Sequence, residues 1–501
     1  MTTRPQSDGQ NSLERVDVIV VGGGNAAFSA AHAAAERGRS VLLLEAAPAE
    51  LAGGNSYYTA GATRIAHNGL DDIIDFLEPD ERFAVTTVPP YTEANYRSDL
   101  ELLTEGRNDP DLSHVLISES QATLRWLHGL GLKFELMYPR QAYVQADGCY
   151  LFWGGVHVGN VGGGVGMIAD HVRVASRLGI DVRYRHKVIG LIRDSGGGRI
   201  TGVRVTPNGG PPVEAYAESV ILAAGGFESN AALRKEHLGN GWENAKVRGT
   251  QFNRGEVLLL ALDAGAARSG GWGSAHSVQW DAFAKDNESN KVLTNRLTRQ
   301  GYPLGILVNT QGERFLDEGA NFRNYTYAKY GKEVLHQPGS LAYQIFDATT
   351  RALLKTEEYD MPGISVVVAE TIPELASKIG VDEEQLTATM SAFNGSIDRS
   401  MPFDPTILDR RSAATEPPKS NWACPLETSP YYAFPVTCGI TFTFGGLKSD
   451  TYGRVLDANG RHLEGLYVAG EMLGGLFSGN YPGGSGLAAG AVFGRRAGSI
   501  A

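Results

Sequence analysis

A glycine-rich turn between a strand and a helix constrains this chain more than any other feature of its sequence. Residues 16–21 are a mostly β-branched apolar run, typical of a buried strand, and residues 22–24 are all glycine. Residues 26–37 are rich in alanine and predict a helix, and residues 40–44 predict a second buried strand. This order is typical of a βαβ unit that binds a dinucleotide.

Each small residue of this turn has its own physical role. Gly22 permits the tight turn, Gly24 lets the backbone approach a pyrophosphate, and Ala27 allows the helix to pack closely on the sheet. Glu45 follows the second strand, near the spacing of about 20 residues at which a carboxylate holds a ribose hydroxyl. An ordinary βα turn is the alternative interpretation. The two strands and the acid favour nucleotide binding, by a turn that continues into Asn25, Ala26 and Ala27, which we also expect to contact the cofactor.

A second glycine-rich segment, residues 470–487, lies almost a full chain length away. It surrounds one phenol, Tyr481, and one acid, Glu471. So much glycine is poor material for a packed core and indicates backbone that lies close to a flat, polar group. The two glycine segments together predict one flavin held from both ends of the sequence.

Composition disfavours several classes of protein. The 501 residues exceed the roughly 250 to 300 at which one core stops growing, so we expect at least two domains. The formal charge of −11 disfavours the wide basic surface that nucleic acid or anionic lipid requires. The cysteines Cys149, Cys424 and Cys438 have no metal-ligand spacing, so we expect neither a metal site nor an iron–sulfur centre.

The start of the sequence bears on its location. Residues 1–15 are polar and lack the apolar core of a secretory signal. Nowhere do about 18 apolar residues follow one another without interruption. We therefore expect a flexible tail at residues 1–15, no membrane span and a cytoplasmic location, where the few cysteines stay reduced.

The character of the sequence changes along the chain. Residues 181–205 predict a β-meander, and residues 219–224 predict another buried strand. Between residues 242 and 424, aromatic and charged residues become more frequent and helical stretches occur, which predicts an inserted second domain. The cofactor-binding domain is then expected in two parts, at residues 16–241 and 425–501.

Six segments of the sequence occur in an order and spacing that indicate a known family. They are residues 17–24, 53–56, 223–227, 308–318, 445–447 and 465–471. Through them the chain resembles the flavoprotein subunits of fumarate reductases and succinate dehydrogenases, a family that also holds the 3-ketosteroid dehydrogenases. The resemblance implies the α/β class, with a Rossmann-like FAD-binding domain and an inserted α+β capping domain that closes over the isoalloxazine ring.

The cofactor contacts of the family can be assigned to single residues of this sequence. By the resemblance, Glu45 holds the adenosine ribose, Val188 presents its backbone to the adenine, and Glu471 binds the second ribose. Ser485 and Leu487 contact the pyrimidine side of the flavin, where a helix N-terminus suits negative charge on the reduced ring. This chain lacks the histidine to which several members attach FAD, so we expect non-covalent FAD. The other predicted contacts are Gly54, Asn55, Ser56, Ala224 and Gly225.

The substrate end departs from the fumarate reductase pattern. The family places an arginine where this chain has Tyr481 and a histidine where it has Phe477. The Tyr-Pro-Gly arrangement is instead similar to that of ketosteroid dehydrogenases, in which such a tyrosine binds a carbonyl oxygen. A carboxylate signal remains, because arginine binds carboxylates bidentately and four arginines lie close together in the inserted domain. They are Arg296, Arg299, Arg314 and Arg323.

Substrate roles also transfer from the family, with one difficulty. By the resemblance, Arg299, Arg323 and His276 bind substrate carboxylates. Tyr481 donates a hydrogen bond to a substrate oxygen, and either Arg323 or Tyr481 takes up the proton. Arginine is an awkward base, because its pKa exceeds about 12 and only a desolvated pocket makes this role tolerable. The other predicted members of the substrate site are Arg296, Arg314 and Phe477.

Structural roles compete with these assignments. In one alternative, Arg314 pairs with Asp317 or Glu318 and stabilises the cap, because most charged residues are structural or solvated. In another, His276 is a structural histidine whose ring nitrogens are hydrogen-bonded within the protein. Tyr481 lies among glycines and is harder to explain as part of a core.

Within the family, the chain resembles the tricarballylate dehydrogenases. The likeness covers the Asn-Ala-Ala after the glycine turn, residues 314–325 and residues 480–484. It implies a dehydrogenase that forms a C=C bond next to a carboxylate, converting tricarballylate to cis-aconitate with hydride transfer to flavin N5. The alternatives are dehydrogenation of a cyclic ketone or 3-ketosteroid, an enoate reductase like fumarate reductase, and a non-catalytic flavin-binding subunit.

These activities define the expected partners. The substrate is a small-molecule carboxylate. Because the cysteines do not form an iron–sulfur relay, electrons are expected to leave through a separate acceptor protein, a quinone or dioxygen.

Overall fold

The computed structural model describes residues 15–152, 154–283 and 289–501. Of the tail predicted at residues 1–15, residues 1–14 lie outside the described residues. In the described part of the chain, no helix combines the length and hydrophobicity needed to cross a membrane. The same residues contain no group of three or more histidine, cysteine, aspartate or glutamate side chains that could hold a metal ion.

Strands and helices alternate over the first part of the chain and again near its C-terminus. The strands are β1 Val16–Val21, β2 Val41–Leu44, β3 Ala62–Thr63, β4 Thr86–Thr87, β5 Phe134–Leu136, β6 Tyr143–Val144, β7 Tyr150–Leu151, β8 Val158–Asn160, β9 Asp181–Arg183, β10 His186–Arg193, β11 Ile200–Pro207, β12 Val213–Leu222, β13 Lys246–Val247, β14 Arg268–Asp281, β15 Ile306–Asn309, β16 Ala342–Phe346, β17 Val367–Ala369, β18 Tyr431–Leu447, β19 Arg454–Leu456 and β20 His462–Val468. The α-helices are α1 Asn25–Glu36, α2 Glu93–Thr104, α3 Pro110–Leu130, α4 Tyr138–Gln141, α5 Gly163–Arg177, α6 Ala231–Leu238, α7 Glu256–Asp263, α8 Arg323–Leu335, α9 Ala348–Arg351, α10 Thr356–Tyr359, α11 Ile372–Ile379, α12 Glu383–Gly395 and α13 Ser485–Ile500.

The larger sheet is built around the N-terminal strand. β1 pairs in parallel with β2 and with β12, in the order β10-β11-β12-β1-β2-β9. β20 adds in parallel to β12 and carries β19. Most residues of β1 and all of β2 are buried, because a parallel sheet is covered on both faces. The α/β class is confirmed, and this sheet is the Rossmann-like core.

Helices from the two ends of the chain touch directly at this sheet. A Cβ on Gly494 of α13 would lie 2.5 Å from the carbonyl oxygen of Ala26, and one on Gly498 would lie 2.1 Å from that of Ala30. Only glycine permits this approach, because the two helix backbones are in contact. The Asn25 side-chain amide also donates to the Leu487 carbonyl over 2.9 Å. The start of α13 therefore lies beside the glycine turn that opens α1.

The second sheet has the order β13-β18-β16-β15, and β14 and β17 also pair with β18. α8 packs on β14 and β18, and α11 packs on α12. The sequence assigned residues 425–501 to the cofactor-binding domain, but β18 is the central strand of this second sheet. The domain boundaries stay proposals, and the pairing of β18 favours a later end for the inserted domain.

Candidate active site

The glycine turn after β1 forms one end of a long cavity. Gly22 has a φ of +119°, and a Cβ there would lie 2.3 Å from the carbonyl oxygen of Ala223. Its amide donates to the Leu44 carbonyl over 2.9 Å. Gly24 precedes α1 and provides no capping side chain. The N-terminus of α1 is therefore suited to a phosphate.

Glu45 lies at the end of β2 and faces the same cavity. The side chain is buried, and its Oε1 accepts a hydrogen bond from the amide of Ala47 over 2.7 Å. Burial penalises the charged form and raises the pKa of Glu45 to about 7, although nearby amides and Lys291 oppose this shift. Such a carboxyl is suited to bind the ribose, as predicted for it, because a ribose hydroxyl donates a hydrogen bond in place of the water that burial excludes.

The cavity runs from this turn to the C-terminal glycine segment. Ala27 and Ser485, both predicted to contact the cofactor, do not line it. Ala27 is buried within α1, and the Ser485 hydroxyl accepts a hydrogen bond from Tyr96 over 2.8 Å. The other predicted cofactor residues line the cavity: Gly22, Gly24, Asn25, Ala26, Glu45, Gly54, Asn55, Ser56, Val188, Ala224, Gly225, Glu471 and Leu487.

Two carboxyls lie close together at the cavity wall, the partly buried Glu471, which lines it, and the fully buried Glu228. Glu471 Oε1 accepts hydrogen bonds from the amide and hydroxyl of Thr443, over 2.6 and 2.8 Å. Glu228 lies behind it and accepts from Asn253 over 2.7 Å and from Asn55. Burial raises the pKa of Glu471 to about 7, and burial together with the Glu471 charge raises that of Glu228. The sequence did not identify Glu228, which directly follows one of the family segments.

Two phenols and an imidazole meet at the other end of the cavity. The hydroxyls of Tyr327 and Tyr481 lie 2.8 Å apart. The ring of His276 meets both rings edge-on, with centroids 5.1 Å from Tyr327 and 5.2 Å from Tyr481. Burial raises the pKa of both phenols, so each stays neutral and can donate to a substrate oxygen. Of these three residues, only Tyr327 was missed from the sequence.

Arg248 supplies positive charge at this end of the cavity. The side chain is 7% exposed, and its Nη1 donates to the Thr441 hydroxyl over 3.1 Å. Among the described residues, its Nε has no hydrogen-bond partner and no carboxylate forms an ion pair with it. Burial lowers the pKa of Arg248 because it disfavours the charged form. A buried guanidinium without a counter-ion is costly, so this position is suited to an anionic ligand.

Further polar side chains line the wall around Arg248. They are Arg140, Asn295, Gln300 and Asn324. Arg140 forms ion pairs with Glu357 over 3.0 Å and Glu358 over 3.2 Å. The Asn295 side-chain amide nitrogen has no hydrogen-bond partner among the described residues. None of these residues was predicted as a site residue, although Asn324 lies in the segment 314–325 that carries the resemblance.

Two of the predicted substrate arginines are held in ion pairs outside the cavity lining. Arg299 is wholly buried, and its Nη2 lies 2.7 Å from Asp281 Oδ2. Arg314 Nε donates to Glu318 over 3.1 Å. This ion pair is the structural alternative to substrate binding that the sequence also allowed. Neither guanidinium is available to a ligand in the cavity, so we assign both to the stability of the inserted domain.

The remaining predicted substrate residues also lie off the lining. Arg323 begins α8 and donates to the backbone carbonyl of Arg140. Arg296 is exposed. Phe477 is buried and packs edge-on against Tyr481, with ring centroids 5.3 Å apart. The structure thus brings His276 and Tyr481 together at the cavity and leaves the other five outside its wall.

Three features define a protein that binds a dinucleotide: the parallel sheet, the uncapped N-terminus of α1 and the carboxyls along the cavity. The other end of the cavity, where the two phenols lie, is polar. The sequence profile of the FAD binding domain family matches residues 17–487. The chain belongs to this family, and its cofactor is FAD. The glycine cradle and the acceptors Glu45 and Glu471 fit this group, whereas its mode of attachment stays a prediction.

Individual relatives are similar over almost the whole chain. The NADH:fumarate oxidoreductase of Klebsiella pneumoniae is 27% identical over 96% of this chain and 47% of its own length. This chain therefore spans about half the length of that relative. A flavocytochrome c3 fumarate reductase in an open conformation has 25% identity and a TM-score of 0.73, over 97% of this chain and 78% of its own. The 3-ketosteroid-Δ4-(5α)-dehydrogenase of Rhodococcus jostii shares the fold, with 22% identity and a TM-score of 0.71 over 100% of this chain and 99% of its own.

The glycine turn allows a direct test of the cofactor site. We expect Gly22→Ala to lose FAD, because the new Cβ meets backbone at 2.3 Å and alanine avoids a φ of +119°. The backbone conformation alone costs about 1–3 kcal/mol. The ratio of flavin to protein absorbance after purification measures the loss. Gly38→Ala is a matched control, because Gly38 also has a positive φ but a Cβ there meets nothing within 4 Å. Equal flavin content in both variants would contradict the assignment.

Proposed function

We propose that this chain is an FAD-dependent dehydrogenase that forms a C=C bond next to a carboxylate, with tricarballylate as substrate and cis-aconitate as product. One observation carries the proposal: Arg248 is a buried cation in the cavity wall and has no carboxylate partner among the described residues. A substrate carboxylate supplies the missing counter-ion. The similarity to a relative named for fumarate supports chemistry at a carbon–carbon bond beside a carboxylate.

The polar end of the cavity can perform the protein's part of this reaction. FAD, when bound, supplies the oxidant that accepts a hydride. Arg248 binds one carboxylate and orients the neighbouring carbon–carbon bond. Tyr327 and Tyr481 donate hydrogen bonds to a substrate oxygen and stabilise the enolate-like charge that develops there. Arg248 is buried and both phenols are partly buried, which limits the competition of water for their hydrogen bonds.

A second candidate keeps the flavin and takes a cyclic ketone or 3-ketosteroid. The hydroxyl pair of Tyr327 and Tyr481 favours it, because two neutral donors suit a carbonyl oxygen. Arg248 opposes it, because a neutral ketone would leave the buried guanidinium without a counter-ion.

Anaerobic titration of the oxidised holoenzyme distinguishes the two candidates. We expect tricarballylate to bleach the flavin absorbance and a 3-ketosteroid to leave it unchanged. Bleaching by the steroid alone would refute the first candidate, and no bleaching by either would favour a non-catalytic flavin-binding subunit. Adding dioxygen or a quinone to the reduced enzyme then identifies the acceptor, which we propose to be one of these or a separate protein.

A further inference from the structure

We infer that His276 is the base that removes the proton from the carbon next to the substrate carboxylate, and that this carboxylate activates the imidazole when it binds Arg248. The inference rests on the proposed function and assigns its proton transfer. It replaces the earlier expectation that Arg323 or Tyr481 takes up the proton.

The geometry of His276 provides the first argument. The residue lies on β14, is 2% exposed and lines the cavity. Neither ring nitrogen has a hydrogen-bond partner among the described residues. Buried polar atoms are nearly always hydrogen-bonded, so an imidazole with two free nitrogens indicates a partner that arrives with the ligand. Edge contacts with Tyr327 and Tyr481 hold the ring in place.

The neighbours of His276 provide the second argument, by elimination. The titratable or charged groups that face it are Arg248 after β13, Tyr327 on α8 and Tyr481 on the C-terminal glycine segment. Both phenols have raised pKa values and carry their protons at neutral pH. Arg248 is a cation with no lone pair to offer. Arg323 does not line the cavity. Among these groups, the neutral imidazole alone has a basic atom ready to accept a proton.

The charge of Arg248 provides the third argument. Burial, and then the neighbouring guanidinium, lower the pKa of His276 well below its ordinary value. Without ligand the imidazole is therefore neutral and weakly basic. A carboxylate on Arg248 cancels the positive charge and adds a negative one nearby, so the imidazole pKa rises when substrate binds. His276 therefore becomes a stronger base only when the substrate carboxylate is bound.

The step balances in atoms and electrons. The C–H bond next to the carboxylate breaks, its proton forms an N–H bond on His276, and its electron pair becomes the second bond of C=C. The hydrogen on the adjoining carbon would leave with its electron pair as hydride, and bound FAD would supply the two-electron oxidant that accepts it. When the product carboxylate leaves Arg248, repulsion by the guanidinium returns the proton from the imidazolium to solvent.

Histidine NMR of the holoenzyme tests the coupling without turnover. The enzyme is labelled with ring-13C histidine, and His276→Gln identifies the resonance by its loss. We expect this resonance to titrate at least about one pH unit higher with malonate than without it, a tenfold rise in proton affinity. Arg248→Gln should abolish the difference between the two titrations. Identical titrations of the wild-type enzyme with and without malonate would overturn the inference.

Kinetics separates a base from a carboxylate ligand. We expect His276→Gln to slow anaerobic flavin reduction by tricarballylate about 10²- to 10⁴-fold, the usual contribution of a general base. Malonate binding, followed by the change in flavin absorbance, should weaken by less than about tenfold, the value of one ordinary hydrogen bond. Equal losses of rate and of malonate affinity would make His276 a carboxylate ligand and overturn the inference. Failure of wild-type enzyme to react with tricarballylate would instead refute the proposed function, and the NMR titration would still decide the coupling.

Discussion

Replacing Arg248 with glutamine is expected to weaken carboxylate binding by roughly 30- to 4,000-fold, because truncating one partner of a buried charge pair costs about 2–5 kcal/mol. Glutamine retains a hydrogen-bond donor near Thr441 but removes the positive charge. The dissociation constant for malonate and the KM for tricarballylate both measure the effect. The flavin content should stay at the wild-type value, because Arg248 lies at the phenol end of the cavity and not at the glycine turn.

Arg296→Gln is the matched control for this change. Arg296 was predicted to bind substrate, but it is exposed and does not line the cavity. Surface substitutions change energies by less than about 0.5 kcal/mol, so malonate affinity should stay within roughly twofold of wild type. If Arg296→Gln lost more malonate affinity than Arg248→Gln, the result would favour the substrate site predicted from the sequence.

Arg248→Gln has a second expected consequence. The guanidinium is buried without an ion-pair partner among the described residues, so its desolvation is uncompensated in the free enzyme. We therefore expect the thermal midpoint of the ligand-free variant to equal or exceed that of wild type. This distinguishes a ligand-binding arginine from a structural one.

Arg299→Ala is expected to show the opposite pattern. Its guanidinium forms a fully buried ion pair with Asp281 over 2.7 Å and donates to the backbone carbonyl of Glu358. Removing one partner of a buried pair leaves an uncompensated charge and costs about 3–5 kcal/mol. The free energy of unfolding in urea should fall by this amount, whereas malonate affinity measured on the folded fraction should not change.

Arg296→Ala again provides the comparison, since Arg296 is a nearby arginine on the protein surface. Its unfolding midpoint should match that of wild type. If Arg299→Ala kept its stability and lost malonate binding, Arg299 would be a substrate residue after all.

Features that depend on local patterns could be predicted from the sequence. The glycine turn requires a small residue because the Ala223 carbonyl lies against Gly22, and this steric demand is the same in every protein with the motif. A threonine directly before a helix is a preferred N-cap, and the Thr371 side chain accepts a hydrogen bond from the Glu374 amide. The cavity residues near the glycine turn could be predicted because they too belong to local sequence patterns.

Features that depend on distant partners could not be predicted. β18 pairs with four other strands, and none of these pairings can be read from its own residues. Arg299 and Arg248 are the same residue type, yet one is neutralised by Asp281 and the other is not. Tyr327 meets Tyr481 across 154 positions of sequence. The charge pattern therefore predicted an acidic substrate, but it could not show that Arg299 and Arg314 form ion pairs outside the cavity lining while Arg248 lies in it.

The contact between α1 and α13 also bears on how this protein is made. Asn25 and its acceptor at Leu487 are 462 positions apart, and both line the cofactor cavity. During translation, the glycine turn therefore leaves the ribosome long before the helix that completes its pocket. Complete binding of the cofactor therefore requires that synthesis has passed Leu487. Nascent chains that end before this residue therefore lack the stabilisation that the complete cofactor site provides.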